Sequence, residues 1–349
     1  MRVFSYRNKR RAKIALVVLW VVLLILLGFI LCRFIYLQRF LVYSGNEVKL
    51  NYEQDLQSDR KEPDQPVSGE FPIEYVSEEE YRPVSSPSDG PMKARSGYYI
   101  TTAMLRDVDA AAEALKELET PPEALLFEMK SIYGNYYYAS DIPGAITADA
   151  DTGAIMNLIG SYEADHSTYL IARIPSFTDN NFALANQPSG LPLRSGALWM
   201  NEENCYWLDP LDETVQDLLI SMATELADMG FDEIVFENFY MPDSENIVYD
   251  SGELTREEVV SEAAKSLRAA LSTLDIRISF GSDTPLVAET TDRVYLTTDN
   301  GSQVAALVEG VSGTLENPNA QIVFQTASRD TRFEGYGILR PLIEGTSAE

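Results

Sequence analysis

From residue 97 onward, short apolar runs alternate with amphipathic stretches of helical periodicity. Most of these apolar runs are continuous rather than alternating, which is typical of parallel strands that are covered on both faces. Eight runs with helices between them, over about 250 residues, predict an α/β fold of the (β/α)8 TIM-like barrel type. The predicted strands cover residues 98–105, 124–130, 168–175, 232–239, 276–280, 293–297, 321–326 and, with the weakest pattern, 336–339.

An open doubly wound sheet is the alternative fold for the same alternation. That fold usually carries a Gly-rich phosphate-binding turn after its first strand, and no such turn follows the first predicted strand here. The chain ends soon after Arg340, so the sequence leaves open whether the eighth strand closes the barrel. Helix starts are predicted from residues whose side chains can cap a helix, namely Asp107, Asp212, Thr255 and Ser302.

The N-terminal part has a different character. Residues 14–32 contain no charge over 19 positions, which is long enough to cross a bilayer core as a helix. Six Lys and Arg residues precede this run, and the positive-inside rule places such residues in the cytoplasm. A cleaved signal peptide would have a shorter apolar core and small residues at its end, whereas bulky Leu31 and charged Arg33 stand here. We therefore expect a cytoplasmic basic segment at 1–13 and a single transmembrane helix at 14–35, with the C-terminal domain outside the cell membrane.

Residues 36–96 are predicted to form a disordered linker, because 51–96 are rich in Glu, Asp, Ser and Pro and poor in periodic apolar residues. The barrel domain would then cover 97–349. No Asp or Glu precedes Glu47, and eight of the 27 Lys and Arg do, which leaves 19 basic against 54 acidic residues and a balance of −35 beyond that point. Such a surface repels phosphate backbones, so nucleic acid is excluded as a partner.

Cysteine and histidine are too scarce for several kinds of site. The chain has two cysteines, Cys32 and Cys205, and one histidine, His166. A disulfide framework, a zinc cluster and a histidine-based nucleophile triad are therefore disfavoured. We expect no metal ion and no organic cofactor.

Charged residues lie within apolar strands near their C-terminal ends, where the active site of a TIM barrel is found. The clearest are Glu128 on the second predicted strand, Arg173 on the third and Glu237 on the fourth, with Lys130 beside the first of them. Charges in such positions are costly to bury unless they are paired or functional. Two interpretations stay open: structural ion pairs at the barrel mouth, or contacts with a ligand.

Aromatic and polar residues around the same ends are candidates for substrate contacts. Aromatic residues in long strand–helix loops pack or form stacking platforms for sugar rings, and the loop 174–211 is long enough to be a lid or wall. Asp283 follows the fifth strand and could also be a loop residue. The candidate substrate-binding residues are Arg173, Lys130, Asn238, Tyr240, Trp199, Trp207 and Asp283.

Four short motifs in this order resemble a known family. They are YLIARI at 169–174, GALW at 196–199, WLDP at 207–210 and GFDEIVFE at 230–237, with Pro242 following. This order resembles the bacterial putative glycoside hydrolase family with a TIM-barrel domain, and the resemblance covers about residues 97–340.

The resemblance implies hydrolysis of a polysaccharide or cell-wall glycan by two carboxylates. Glu237 would be the nucleophile or base, and Glu128 the general acid, which would have to hold a proton beside its apolar neighbours. Arg173 and Lys130 would orient these carboxylates or bind sugar hydroxyls. Carboxyl groups about 5 Å apart indicate retention, about 6.5–9.5 Å inversion, and more than about 12 Å would exclude the pair.

The sequence also departs from the family pattern. The family pattern after the second strand resembles D-V-K-D, and here residues 128–131 read EMKS. The pattern at the fourth strand resembles F-D-Y-I-R-F-P, and here residues 236–242 read FENFYMP. One acid becomes Ser131, the arginine becomes Tyr240, and both remaining acids are Glu. The alternative is therefore a catalytically inactive glycan-binding or scaffold module of the cell envelope.

Overall fold

A computed structural model describes residues 41–44, 47–50, 92–164 and 167–345. The chain divides into two units, Met1–Glu78 and Glu79–Glu349. The described part of the first unit is a pair of antiparallel strands, β1 (Leu41–Ser44) and β2 (Glu47–Leu50). Both strands fall within the segment 36–96 that was predicted as linker.

The predicted cytoplasmic segment 1–13 and the predicted transmembrane helix 14–35 lie outside the described residues, as do 51–91 of the linker and His166. Across 92–164 and 167–345, no helix combines the length and the apolar character needed to cross a membrane.

The second unit contains the predicted barrel, and the barrel is closed. Eight parallel strands pair in the order β10-β11-β12-β3-β4-β7-β8-β9, so the last strand pairs with the first through Leu339 and Gly97. The prediction of a (β/α)8 fold is confirmed. The barrel strands are β3 (Gly97–Ile100), β4 (Ala124–Glu128), β7 (Tyr169–Pro175), β8 (Glu233–Glu237), β9 (Arg277–Phe280), β10 (Val294–Thr297), β11 (Ile322–Gln325) and β12 (Gly337–Pro341), and β5 (Asn135–Tyr136) and β6 (Ile146–Thr147) form a small separate sheet.

Helices connect most of the strands. Asp107, Asp212 and Thr255 accept hydrogen bonds from the first turns of their helices, as the sequence predicts. Asn300, rather than Ser302, caps the turn Gly301–Gln303, which leads into the helix Val304–Ser312. The α-helices cover Thr102–Leu105, Val108–Lys116, Thr152–Glu163, Asn180–Ala185, Glu213–Asp228, Arg256–Ala270, Pro285–Ala288, Val304–Ser312 and Pro318–Gln321.

The first strand is shorter in the structure than the predicted range, 98–105. It ends at Ile100, and Thr101 then caps the short helix Thr102–Leu105 by accepting a hydrogen bond from the backbone of Met104. The apolar residues after Ile100 are buried by this helix instead of by a strand.

The interior of the barrel is layered. At the N-terminal ends of the strands, buried Glu233 accepts hydrogen bonds from Arg293, from Ser279 at 2.6 Å and from Tyr295 at 2.9 Å. Above this polar layer lies an apolar layer, and the inward-facing positions at the C-terminal ends are polar again. The apolar interior consists of Tyr99, Ala124, Leu126, Tyr169, Ile171, Val235, Tyr295, Val323 and Leu339.

Candidate active site at the C-terminal end of the barrel

Strand register brings three of the predicted site residues together. Glu128 on β4 pairs with Arg173 on β7, and Glu237 on β8 lies two residues beyond the partner of Arg173. Side chains two residues apart on a strand point to the same face. Because Leu126, Ile171 and Val235 point into the barrel, Glu128, Arg173 and Glu237 point inward as well.

Arg173 is the centre of this layer. Its Nη1 donates to Oε1 of Glu128 at 2.7 Å, and its Nε donates to Oε2 of Glu237 at 3.0 Å. Nη1 also donates to Oε1 of Gln325 at 3.0 Å, on the strand across the barrel. Burial lowers the pKa of the guanidinium, but the charges of Glu237 and Glu128 outweigh burial and raise it overall. Arg173 therefore stays charged and holds both carboxylates.

The two carboxylates are close enough to act on one bond. Oε1 of Glu128 lies 2.7 Å from Nη1 of Arg173, and Oε2 of Glu237 lies 3.0 Å from Nε. Because both nitrogens belong to one guanidinium group, these two carboxylate oxygens lie within about 8 Å of each other. This separation is well inside the roughly 12 Å beyond which the pair would be excluded.

The surroundings of the two carboxylates differ. Glu128 also accepts from the backbone N–H of Thr102 at 2.8 Å, so each of its oxygens has a donor. For Glu237, Oε2 is bonded to Arg173, and Oε1 forms no hydrogen bond within the described part of the chain. Gly281, just after β9, leaves room for this carboxylate, since a Cβ there would lie 2.5 Å from Oε2.

Lys130, one of the predicted substrate-binding residues, lines the same cavity as the two carboxylates but is paired with a different acid. Its ammonium lies 2.9 Å from Oδ2 of Asp179 and contacts the carbonyl oxygens of Pro175 and Thr178 at 3.4 Å. The Lys130 side chain is fully buried and that of Asp179 is 2% exposed. Lys130 thus joins the loop after β4 to the segment after β7.

Asn238 follows Glu237 in a backbone conformation that non-glycine residues rarely adopt, with φ of 53°. Its Nδ2 donates to Oγ1 of Thr178 at 3.1 Å. Such strained positions cluster at functional sites, where neighbouring structure holds them. Here the turn ends β8 at Glu237 and directs the chain toward Tyr240.

The predicted aromatic residues Trp199, Trp207 and Tyr240 form one cluster. The Trp207 ring lies 6.0 Å from that of Trp199 and 4.8 Å from that of Tyr240. Trp207 is only 1% exposed and forms the buried part of the cluster, whereas Tyr240 is 44% exposed. Asp283 is exposed, and its charge acts on the phenol of Tyr240.

The loop 174–211, predicted as a lid or wall, begins two residues later in the structure because the strand β7 continues to Pro175. It contains the helix Asn180–Ala185, and its strand-like bridges include Thr178 with Trp207 and Met200 with Tyr206. From the turn of this segment, Glu203 reaches the cavity between the carboxylates. The cavity measures about 70 Å³ and is lined by Thr102, Glu128, Lys130, Ser131, Ile132, Arg173, Pro175, Glu203, Glu237 and Asn238.

A larger depression of about 470 Å³ lies at the opposite, N-terminal end of the strands, where Tyr169 and Asp232 line it. Barrel enzymes keep their active sites at the C-terminal end of the strands, and conservation at the other end serves stability. The smaller cavity is therefore the candidate active site.

Residues that contribute to the site but were not among the predicted ones include Thr102, Asp179, Glu203, Gly281 and Gln325. Gln325 ends the seventh strand, so the inward position at that strand end could have identified it. Asp179 and Thr102 lie beyond strand ends, and no strand pattern points to them. Within the described ranges, no group of three or more His, Cys, Asp or Glu residues could hold a metal ion.

Comparisons with known proteins agree with this barrel. The sequence profile of a family described as a putative glycosyl hydrolase domain matches residues 97–293. A search of curated proteins found no match. Among solved structures, the α-galactosidase of Lactobacillus brevis is similar, with 9% identity and a TM-score of 0.50 over 75% of this chain and 39% of that enzyme.

Two further structures are similar at lower TM-scores. A hypothetical protein from Ruminiclostridium thermocellum has 21% identity and a TM-score of 0.45, over 52% of this chain and 96% of that one. The glycoside hydrolase domain of PelA from Pseudomonas aeruginosa has 14% identity and a TM-score of 0.43, over 74% of this chain and all of that one, at 100%. At these identities, structural likeness concerns the fold alone.

Proposed function

Because this chain belongs to the family of putative glycosyl hydrolase domains, we propose that its barrel hydrolyses glycosidic bonds of a polysaccharide. The observation that carries the proposal is the pair of carboxylates, Glu128 and Glu237, held on the one guanidinium of Arg173. A separation within about 8 Å fits the spacing that glycoside hydrolases use for two-carboxylate catalysis.

The contacts of the two carboxylates suggest their roles. Oε1 of Glu237 is free of protein donors in the described residues, so it can attack the sugar or accept a proton from water. Oε1 of Glu128 accepts from Arg173 and Oε2 from the N–H of Thr102, and each oxygen has a second lone pair at which the group could carry the proton that it delivers as general acid. Arg173 keeps the two groups at a fixed separation.

The second candidate function is glycan binding without hydrolysis. Its specific support is the ion pairing of both carboxylates with Arg173, which is also what a structural cluster would show. Ser131 and Tyr240, which stand where the family pattern has an acid and an arginine, point the same way. In this function the aromatic cluster at Tyr240 would contact the sugar.

The proposed location is the cell membrane, with the barrel outside the cytoplasm facing a cell-wall glycan. The uncharged run 14–32 and the Lys and Arg residues before it support a single-pass anchor with a cytoplasmic N-terminus. Protease added to intact cells should degrade the barrel of the full chain and leave a cytoplasmic control protein whole. A barrel that is protected until the cells are lysed contradicts this location.

The function is tested by reducing-sugar release from a panel of bacterial and plant polysaccharides. Glu237→Gln and Glu128→Gln are compared with the matched control Glu262→Gln, an exposed residue of the helix Arg256–Ala270 whose ion-pair partner among the described residues is Lys265. Release by the parent and the control, with loss in Glu237→Gln, supports hydrolysis. Release that survives in Glu237→Gln refutes the assigned site, and binding without release favours the second candidate.

A further inference from the structure

The cavity between the two carboxylates is too small for a sugar. It measures about 70 Å³, which is room for about two water molecules, since one takes about 30 Å³ of the liquid. Pockets that bind small organic ligands measure about 300–1,000 Å³. A sugar whose glycosidic bond meets both Glu128 and Glu237 therefore enters only if part of the lining moves.

Most of the lining is held in place by the barrel. Arg173 and Glu237 are bonded to each other at 3.0 Å, and Ile132 lies in the turn 131–134, which a backbone hydrogen bond of 3.0 Å closes. Among the described residues that line the cavity, Glu203 alone is exposed, so it forms the outer edge of the lining. The buried part of the lining consists of Thr102, Glu128, Lys130, Ser131 and Pro175.

Glu203 belongs to the tip of a hairpin, residues 201–204. The N–H of Asn201 donates to the carbonyl of Cys205 at 3.0 Å and closes the base of this tip. Oδ1 of Asn201 accepts from the N–H of Glu203 at 3.1 Å and from that of Cys205 at 2.9 Å. Because these bonds lie within the tip and its base, the tip keeps its own shape and can move as one piece.

Hydrogen bonds at the surface join the tip to the rest of the barrel domain. Oη of Tyr133 donates to the carbonyl of Glu203 at 3.4 Å, and Nδ2 of Asn180 donates to the carbonyl of Asn204 at 3.1 Å. Both bonds are exposed, so water can replace them and each contributes little to the closed position. The bond from Tyr133 connects the two loops that line the cavity, since Ile132 lines it as well.

We propose that the tip 201–204 is a gate. It is closed in this structure, and it opens by breaking its bonds to Tyr133 and Asn180, which admits a sugar to Glu128 and Glu237. The inference rests on the proposed glycan-directed function and adds how the substrate reaches the carboxylates. Loops that open and close in this way commonly control access to active sites.

A cysteine placed in the cavity measures the opening. Ser131→Cys puts a thiol at a lining position that is 4% exposed, where a maleimide arrives only when the gate is open. Labelling of the folded full chain is followed by peptide mapping, which separates this thiol from Cys32 and Cys205. The reference is Glu262→Cys, at an exposed position, with both rates normalised to the unfolded proteins. We expect Ser131→Cys to react at least about tenfold more slowly, because the open form is a minor state.

Two variants weaken the gate at different bonds. Tyr133→Phe removes the hydroxyl that bonds Glu203. Asn180→Asp removes the N–H that bonds Asn204 and keeps the oxygen that accepts from the backbone of Tyr206 at 2.7 Å. Each change should speed the labelling of Ser131→Cys by roughly twofold to tenfold, which corresponds to the loss of one hydrogen bond.

The matched control is Tyr162→Phe, on the helix Thr152–Glu163, and it should leave the labelling rate unchanged. Labelling of Ser131→Cys as fast as that of Glu262→Cys would show that the cavity is open without any motion, which overturns the gate. Labelling that occurs only on global unfolding in urea also overturns it. A rate that Asn180→Asp leaves unchanged would assign the motion to another segment and overturns it too.

Sugar release separates the gate from the proposed hydrolysis. Because the open form is the one that admits substrate, kcat/KM should rise in Tyr133→Phe and Asn180→Asp by the same factor as the labelling rate. Faster labelling in both variants without sugar release by any of the proteins refutes hydrolysis and supports the gate. Release that depends on Glu237, with a kcat/KM that both variants leave unchanged, supports hydrolysis and overturns the gate.

Discussion

Lys130 donates to the carboxylate of Asp179 across 2.9 Å, and both side chains are removed from solvent. The pair ties the loop after β4 to the segment 176–211, which forms one wall of the candidate active site. Oδ1 of Asp179 at the same time accepts the N–H of Phe182 at 2.7 Å and starts the helix Asn180–Ala185. One carboxylate thus fixes both the position of the wall and its first helix.

Replacing Lys130 should destabilise the fold. Lys130→Met leaves the buried charge of Asp179 without its cation, and removing one partner of a buried ion pair costs about 3–5 kcal/mol. The free energy of unfolding, measured by urea denaturation, should fall by about that amount. The control is Lys130→Met combined with Asp179→Leu, which removes both charges and should recover part of the loss. A single variant as stable as the parent would show that the pair contributes nothing.

The pair Glu233–Arg293 at the other end of the barrel should matter for stability alone. Both side chains are fully buried, and the carboxylate also accepts from Ser279 and Tyr295. Glu233→Gln leaves Arg293 charged and unpaired, so the free energy of unfolding should drop by about 3–5 kcal/mol. Glycan binding per folded molecule, measured below the unfolding transition, should stay at the parental value. A selective loss of binding in a fully folded variant would link this end to function.

The site residues that could be predicted from the sequence are charged residues within apolar strands, because a charge is unusual at such a position. Glu128, Arg173 and Glu237 interrupt apolar strands, and strand register then forces them to one inward-facing layer. That the same register closes the barrel could not be predicted, because closure depends on contacts between Leu339 and Gly97, which lie at opposite ends of the domain.

Loop residues that contact the predicted site residues could not be identified from the sequence, for a physical reason. Lys130 was expected to orient the carboxylates or bind sugar hydroxyls because it ends the second predicted strand, 124–130, which also carries Glu128. The chain leaves the strand after Glu128, so the two side chains no longer share a face, and Lys130 meets Asp179 instead. Trp207 was likewise expected to contact substrate, but it is buried in the structure, where its backbone forms a β-bridge with Thr178.

Cys205 should be unreactive in the folded protein. Burial, with a further contribution from Glu203, raises the pKa of its thiol to about 11, so little thiolate forms near neutral pH. Iodoacetamide at pH 8 should label Cys205 only after unfolding, as measured by peptide mapping that distinguishes it from Cys32. Cys205→Ala is the control for assignment of the labelled peptide.

The same shift has a consequence for stability at alkaline pH. Because the folded pKa lies above that of an unfolded thiol, the contribution of Cys205 is complete below about pH 8.5 and is lost as the pH rises toward 11. The parent should therefore lose more stability than Cys205→Ala between these pH values. Equal losses in the two proteins would contradict the assigned environment.

Gly281→Ala should separate catalysis from folding. An added Cβ would lie 2.5 Å from Oε2 and 2.7 Å from Cδ of Glu237, so the carboxylate must move, and its oxygen bonded to Arg173 is the atom nearest to the added Cβ. Because only the end of a flexible side chain has to move, the free energy of unfolding should change by no more than about 1–2 kcal/mol. A misplacement of about 1 Å in a reacting group can cost roughly 100-fold in rate, so sugar release should fall by that order.

The control is Gly310→Ala, on the helix Val304–Ser312, where an added Cβ meets nothing within 4 Å. This control should keep full activity and gain up to about 1 kcal/mol of stability. Parental sugar release by a folded Gly281→Ala variant would show that the contact between Glu237 and Arg173 is not needed for the reaction.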